Sequence, residues 1–180
     1  MGEKLLRIIL GSILKLCFGL RVRGLEHFEA AGNKTVIIAN HQSFLDPLIL
    51  AVVMPKKPAF MMNVFQADKW YFKWVSLFVD VYKVDPSQPM SMKTLLTELK
   101  EKGRLVIFPE GRLTTSGGIM KIYEGAAMMA GKTGATVLPI HIEGTQYSSM
   151  SRLGKFHRTK LFPKITVRFY PPKPASELPD

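Results

Sequence analysis

The sequence predicts a single α/β domain with a mainly parallel sheet flanked by helices, preceded by an apolar N-terminal helix that associates with a membrane surface. Three observations carry this expectation. Strand and helix signals alternate along the chain, which argues for a sheet with helices on its faces. The length of 180 residues is that of one domain and suffices for a sizeable core. No internal repeat, low-complexity tract or interdomain linker interrupts the alternation. The expected division is 1–20 for the apolar helix, 21–174 for the globular domain and 175–180 for a loose tail.

The first element is apolar nearly all round: Leu5, Leu6, Ile8, Ile9, Leu10, Ile13, Leu14, Leu16, Cys17, Phe18 and Leu20, interrupted by Arg7, Gly11, Ser12 and Lys15. It falls short of the ~20 mostly apolar residues that span a bilayer. It is expected to lie in the interface, with Arg7, Lys15, Arg21 and Arg23 near headgroups. A core helix of the globular domain is the competing reading. No small-x-small site marks it as a cleaved leader. Strands are expected over Thr35–Ala39, Ala59–Val64 and Phe78–Val84, with a helix over Pro47–Met54 between the first two. Met92, Leu95, Leu96 and Leu99 form a helical stripe that stops at Gly103. Strand Leu105–Phe108, helix Ile122–Lys132 and strands Thr136–Ile142 and Ile165–Tyr170 follow, and Pro171, Pro172 and Pro174 close the domain.

Two junctions in this layout carry chemistry. Where the first long strand gives way to a helix, Ala39-Asn40-His41-Gln42-Ser43-Phe44-Leu45-Asp46 sets an imidazole and a carboxylate five residues apart. Such a pair makes a hydroxyl nucleophilic: the histidine takes its proton while the carboxylate fixes the tautomer. No G-x-S-x-G elbow supplies a nucleophile. The attacking hydroxyl is therefore expected on the substrate, which favours acyl transfer over hydrolysis. The bland reading is that Ser43 to Asp46 is a capping box and Asp46-Pro47 an N-cap with proline behind it.

The second junction is Leu105-Val106-Ile107-Phe108-Pro109-Glu110-Gly111-Arg112, an apolar strand that delivers a carboxylate, a glycine and a guanidinium at its end. Open α/β sheets bind ligands at such strand ends. Gly111 permits close backbone approach, and Arg112 offers a planar fork suited to phosphate.

Together these two motifs resemble the signature of the glycerolipid acyltransferases, which acylate glycerol 3-phosphate and lysophospholipids. Val137-Leu138-Pro139-Ile140 is similar to the family's fourth block, and the likeness runs from about Leu20 onward. Val84 to Met90 and Met120 to Ala126 resemble the acyltransferase portion of the bacterial bifunctional 2-acylglycerophosphoethanolamine acyltransferase/acyl-[acyl-carrier-protein] synthetases. The resemblance implies a glycerol-3-phosphate acyltransferase-like fold, with His41 as general base, Asp46 as its partner, and Glu110, Gly111 and Arg112 positioning the glycerophosphate. It implies a donor acyl chain on acyl carrier protein or coenzyme A, no cofactor, and work at the cytoplasmic face of the bacterial inner membrane. In the bifunctional proteins a synthetase domain follows the segment represented here. Two departures from the general pattern stand out. Its arginine block corresponds to Val81-Tyr82-Lys83-Val84-Asp85, and its Glu-Gly-Thr-Arg is shortened to Glu110-Gly111-Arg112. Both suit an acceptor whose phosphate is already esterified, such as 2-acylglycerophosphoethanolamine, better than 1-acylglycerol 3-phosphate. For the oxyanion, a backbone amide at the helix start after His41 is the candidate donor.

Composition agrees with a membrane surface. The net charge of +11 suits anionic lipid or an acidic carrier protein, and Arg152 to Lys173 holds seven Lys or Arg without an acid. No zinc-finger, recognition-helix or RNA-binding motif supports nucleic acid as partner. The single cysteine, Cys17, excludes a disulfide within the chain, and no metal-binding spacing is present. Lys69 to Phe78 interleaves aromatics with lysine as at a headgroup boundary, and Met61, Met62, Met128 and Met129 suit an acyl wall or a core equally. His141 and Glu143 share a strand face. A thioesterase using the same pair, and a non-catalytic lipid-binding module, are the other function classes.

Overall fold

The computed structural model describes residues 2–64, 78–85 and 89–177. Of the cluster from Lys69 to Phe78, all but Phe78 lies outside them. Seven strands form one sheet: β1 (Arg21–Arg23), β2 (Thr35–Ala39), β3 (Ala59–Asn63), β4 (Asp80–Val84), β5 (Arg104–Ile107), β6 (Thr136–Glu143) and β7 (Thr166–Phe169). Their order is β1-β7-β6-β2-β5-β3-β4. All neighbouring pairs run parallel except β6 and β7. Among the described residues the α-helices are α1 (Gly2–Phe18), α2 (Glu26–Ala30), α3 (Asp46–Val53), α4 (Pro89–Lys102) and α5 (Gly125–Thr133).

The mainly parallel α/β sheet expected from the alternation is what the chain forms, because its central strands are apolar on both faces. In β2, Ile37 and Ala39 join the core under α1, α2 and α3, while Val36 joins the core under α4 and α5. In β5 the same alternation sends Val106 to the first core and Leu105 and Ile107 to the second. A strand covered on both sides reads as a continuous hydrophobic run, as these do. Gly103 ends α4 with φ +82, and a Cβ there would sit 2.2 Å from the Asn33 carbonyl oxygen, so only glycine turns this corner.

Several boundaries differ from expectation, each for a physical reason. The helix expected from Ile122 starts at Gly125, because Tyr123 N is drawn to Pro109 O at 2.9 Å and Met120 N to Glu110 at 3.2 Å. β1 and α2 are additional to the expected elements, since three exposed residues and a single helical turn are too short to show periodicity. Ala175–Glu177, within the tail expected to be loose, makes a short 3₁₀ turn.

α1 packs one face on the core, as the core-helix reading expects, and leaves an apolar face exposed. Leu14 is 3% exposed and belongs to the first core, with Leu10 and Phe18 packed against it. Leu5, Leu6, Ile8, Ile9, Ile13 and Leu16 face outward. Arg7 is a correction to the expected headgroup contacts: its Nη2 donates to Ala51 O and Met54 O, the carbonyls ending α3. A cation there offsets orphan acceptors and the negative end of the helix dipole. Among the described residues no helix is long and apolar enough to cross a membrane.

Candidate active site

β2 and β5 are neighbours running the same way, so their carboxyl ends bring residues 40–46 and 108–112 to one edge of the sheet. From β5 the chain passes through α5 to β6 on the other side of β2. A crevice at such a reversal is where open α/β sheets take ligands.

Asn40 extends the β2–β6 ladder with its side chain, its Oδ1 accepting from Ile142 N and its Nδ2 donating to Ile142 O, each at 2.8 Å. The next residue, His41, is thereby turned out of the sheet at a fixed height. Asp46 is fully buried. Its Oδ2 accepts from His41 Nδ1 at 3.0 Å, Gln42 N at 2.7 Å and Ser43 N at 2.8 Å. A carboxylate only accepts, so the bond to Nδ1 places the imidazole proton there and leaves the lone pair on Nε2. Nε2 has no hydrogen-bond partner among the described residues. The ring stacks on Phe108 with centroids 4.0 Å apart, which fixes its plane.

The capping reading needs adjustment. Asp46 is the first residue of α3, the N-cap position belongs to Leu45, and no side chain caps it. The bond from Ser43 N to the Asp46 carboxylate is nevertheless the return arm of a capping box. One oxygen thus starts the helix and orients the imidazole.

The rest of the His41 loop is held at nearly every polar group. His41 O accepts from Thr114 N at 2.9 Å, Gln42 O from Ser151 Oγ at 2.9 Å, and Phe44 N donates to Met150 O at 3.3 Å. Leu45 N donates to Ser43 Oγ and Asp46 N to Ser43 O. The amides of residues 42 to 46 are therefore spent inside the chain. This corrects the expectation that one at the helix start receives an oxyanion. Ser43 is buried with Oγ 2.9 Å from Ser148 Oγ, so no serine of the motif is presented to Nε2.

Glu110 is 3% exposed; its Oε1 accepts from His41 N at 3.0 Å and its Oε2 from Met120 N at 3.2 Å. It braces the His41 loop from beneath. Gly111 adopts φ +66, and a Cβ there would press the Tyr123 ring at 3.3 Å. Arg112 is exposed at the rim and has no hydrogen bond or ion pair among the described residues. The structure thus joins His41, Asp46 and Glu110 in one hydrogen-bonded chain, with Gly111 turning the strand end and Arg112 projecting beyond it.

Phe108 as a shelf for the imidazole, and Ser148 and Ser151 as supports, are invisible to sequence reasoning. The first lies inside a recognised motif, but stacking has no spacing signature; the others are about a hundred residues away from the loop they hold. His141 and Glu143 lie on an exposed face of β6 opposite Arg168 and Thr166, turned to solvent. Met129 is core, while Met128 is exposed. Among the described residues no three His, Cys, Asp or Glu are placed to hold a metal.

Comparison with known proteins points the same way. The chain is 30% identical over 133 residues to a chloroplastic 1-acyl-sn-glycerol-3-phosphate acyltransferase of Arabidopsis thaliana, covering 71% of this chain and 37% of that protein. It is 28% identical to the human 1-acyl-sn-glycerol-3-phosphate acyltransferase alpha, covering 97% of this chain and 62% of the relative. The chain thus spans less than two thirds of the length of these relatives. The crystal structure of the 1-acyl-sn-glycerophosphate (LPA) acyltransferase PlsC from Thermotoga maritima superposes with a TM-score of 0.73 at 20% identity, over 99% of this chain and 73% of that one. It shares the fold. The Acyltransferase family model matches residues 19–143, a span holding both the His41–Asp46 loop and the Glu110-Gly111-Arg112 turn, and the chain belongs to that family.

Proposed function

We propose that this chain transfers an acyl group from a thioester to the free hydroxyl of a lysophospholipid at a membrane surface. The observation that carries this is the His41 imidazole, oriented through Nδ1 by a buried Asp46, with Nε2 unbonded and no serine of its own motif to activate. Nε2 takes the proton of the acceptor hydroxyl as its oxygen attacks the thioester carbonyl. The tetrahedral intermediate then collapses, the C–S bond breaks, and the departing thiolate takes the proton from Nε2. Asp46 stabilises the imidazolium throughout. General-base help of this kind is worth about 10²–10⁴-fold.

Arg112 is the group suited to the acceptor's phosphate, since a guanidinium without an internal partner is free to fork onto an anionic oxygen. Gly111 turns the strand end that presents it, while Glu110 braces the neighbouring His41 loop. The acceptor we favour is a lysophospholipid with an esterified phosphate, 2-acylglycerophosphoethanolamine, because the arginine of the intermediate block is absent here. A free 1-acylglycerol 3-phosphate is the second reading, favoured by the names of the relatives. Acyl carrier protein is the proposed donor, for which a chain of net charge +11 is suited, with coenzyme A the alternative carrier. The exposed apolar face of α1 supports peripheral or monotopic attachment, on the cytoplasmic face of a bacterial inner membrane. The test is a panel of lysolipids with labelled acyl carrier protein and acyl-coenzyme A, read by mass analysis of the lipid product. Release of free fatty acid at full rate without any lysolipid would sink the transferase reading and leave a thioesterase.

A further inference from the structure

The segment from Arg152 to Lys164 carries apolar side chains that its own fold leaves in water. Phe156, Leu161 and Phe162 are 68%, 73% and 52% exposed. The segment is nonetheless tied down: Leu153 and Pro163 are buried, Phe156 N and His157 N donate to Leu153 O, and Lys160 N donates to Tyr147 O. Ordered backbone that displays large apolar groups marks a contact surface. Around them stand Arg152, Lys155, Arg158, Lys160 and Lys164, all exposed, and residues 144–176 contain no Asp or Glu. The surface is continuous with α1, because Phe162 meets Phe18 edge to face with centroids 5.3 Å apart.

We propose that residues 152–164 form a second lipid-contact element, seating on an anionic bilayer beside α1. Apolar tips interleaved with lysine and arginine match that occupant: rings enter the headgroup boundary while the cations meet lipid phosphates. The bilayer is favoured over an acidic protein surface because the patch continues into the exposed apolar face of α1. The element also reaches the site. Ser148 and Ser151, at its root, hold Ser43 and the Gln42 carbonyl, and Arg152 lies 5.9 Å over the Phe44 ring. On its other side Leu153 and His157 border Gly117, in the loop that follows Arg112. Lipid seating would therefore be felt by both loops that carry the candidate site. This inference rests on the membrane-surface reading given above.

The full chain would be sedimented with vesicles of phosphatidylcholine, alone or mixed with phosphatidylglycerol. F156S/L161S should bind the anionic vesicles about tenfold or more weakly, on the scale of partial burial of two large apolar side chains. K155S/R158S/K160S should lose the preference for anionic over neutral vesicles. Both should keep wild-type turnover on a short-chain, monomeric lysolipid. Unchanged vesicle binding by F156S/L161S overturns the proposal. If melting shows that this variant is unfolded, the basic variant decides, and an unchanged anionic preference overturns it. Vesicle binding intact in both, with a raised KM for acyl carrier protein alone, would make the segment a carrier-protein dock and reject the lipid assignment. Binding is read without turnover. A chain that needs Phe156 and Leu161 to hold vesicles yet acylates no lysolipid would therefore refute the proposed activity and leave this surface standing.

Discussion

His41 and Asp46 are held by different kinds of bond, and their variants should differ accordingly. His41→Ala removes a ring that is 17% exposed, stacks on Phe108 and makes one hydrogen bond, so turnover should fall by about 10²–10⁴-fold while the chain remains folded at 25 °C. Near wild-type acyl transfer by this variant would refute the mechanism. Asp46→Asn must also replace an acceptor shared by Gln42 N and Ser43 N, so it should lower both turnover and stability. Glu110→Gln is the discriminating change. Its amide can accept from only one of the two N–H groups that the carboxylate now receives, leaving the other unsatisfied at a cost of about 1–3 kcal/mol. Glu110 here supports the His41 backbone, so kcat should fall while the KM for lysolipid stays within about twofold. A large rise in that KM with kcat retained would instead place the carboxylate on the acceptor. Arg112→Lys, at the exposed rim, should show the opposite split: it keeps the charge, loses the fork, and should weaken lysolipid use more than donor use. The pair could be found in the sequence because five residues across a strand-to-helix junction is a local relation. The role of Glu110 could not, since its partner lies 69 residues earlier and nothing in the motif tells a bracing carboxylate from a binding one.

α3 shows how an element transmits support to the site. Its first residue is Asp46, and its last carbonyls are met by Arg7 from α1, so the helix that carries the orienting carboxylate is secured at its far end by the N-terminus. Arg7→Met keeps the packing stem and removes the donors. It should cost about 1–2 kcal/mol, or roughly 3–6 °C in Tm, with turnover per folded molecule unchanged at 25 °C. A melting temperature equal to wild type would mean that the carbonyls find water instead. The central elements were readable because burial on both faces writes itself as an apolar run, as in β2 and β5. The same logic failed at Ile122 to Glu124, where a helical pattern exists but Tyr123 N and Met120 N are taken by Pro109 and Glu110. Long-range bonds overrode a local preference there, and that override shapes the loop beside Gly111.

For the whole molecule, the proposed attachment to lipid through α1 is tested by separating anchoring from folding. Removing residues 1–19 looks like the direct experiment, but Leu14 is part of the main core and a Cβ on Gly11 would already lie 3.0 Å from Val52. Deletion would uncover α3 and confuse lost anchoring with lost fold. The outer face separates the two. Ile9, Ile13 and Leu16 are 48%, 50% and 86% exposed, so Ile9→Gln, Ile13→Gln and Leu16→Gln together should leave the melting temperature within a few degrees of wild type. Transfer of such side chains from water to an apolar phase is worth about 1.5–3 kcal/mol each when complete. Even half insertion of three predicts a loss of vesicle affinity of about 50-fold or more, with activity on a monomeric short-chain lysolipid preserved. Salt distinguishes the two forces involved. Raising ionic strength from 0.1 to 1 M shortens the screening length from about 10 to 3 Å, which weakens lysine and arginine attraction to anionic lipid but not apolar insertion. Wild type should therefore be released only in part by salt, and the triple glutamine variant to a clearly greater extent, with Phe156, Leu161 and Phe162 as its remaining apolar contact. A triple variant that sediments like wild type at high salt would remove α1 as an anchor and leave the apolar contact to the segment holding Phe156 and Leu161.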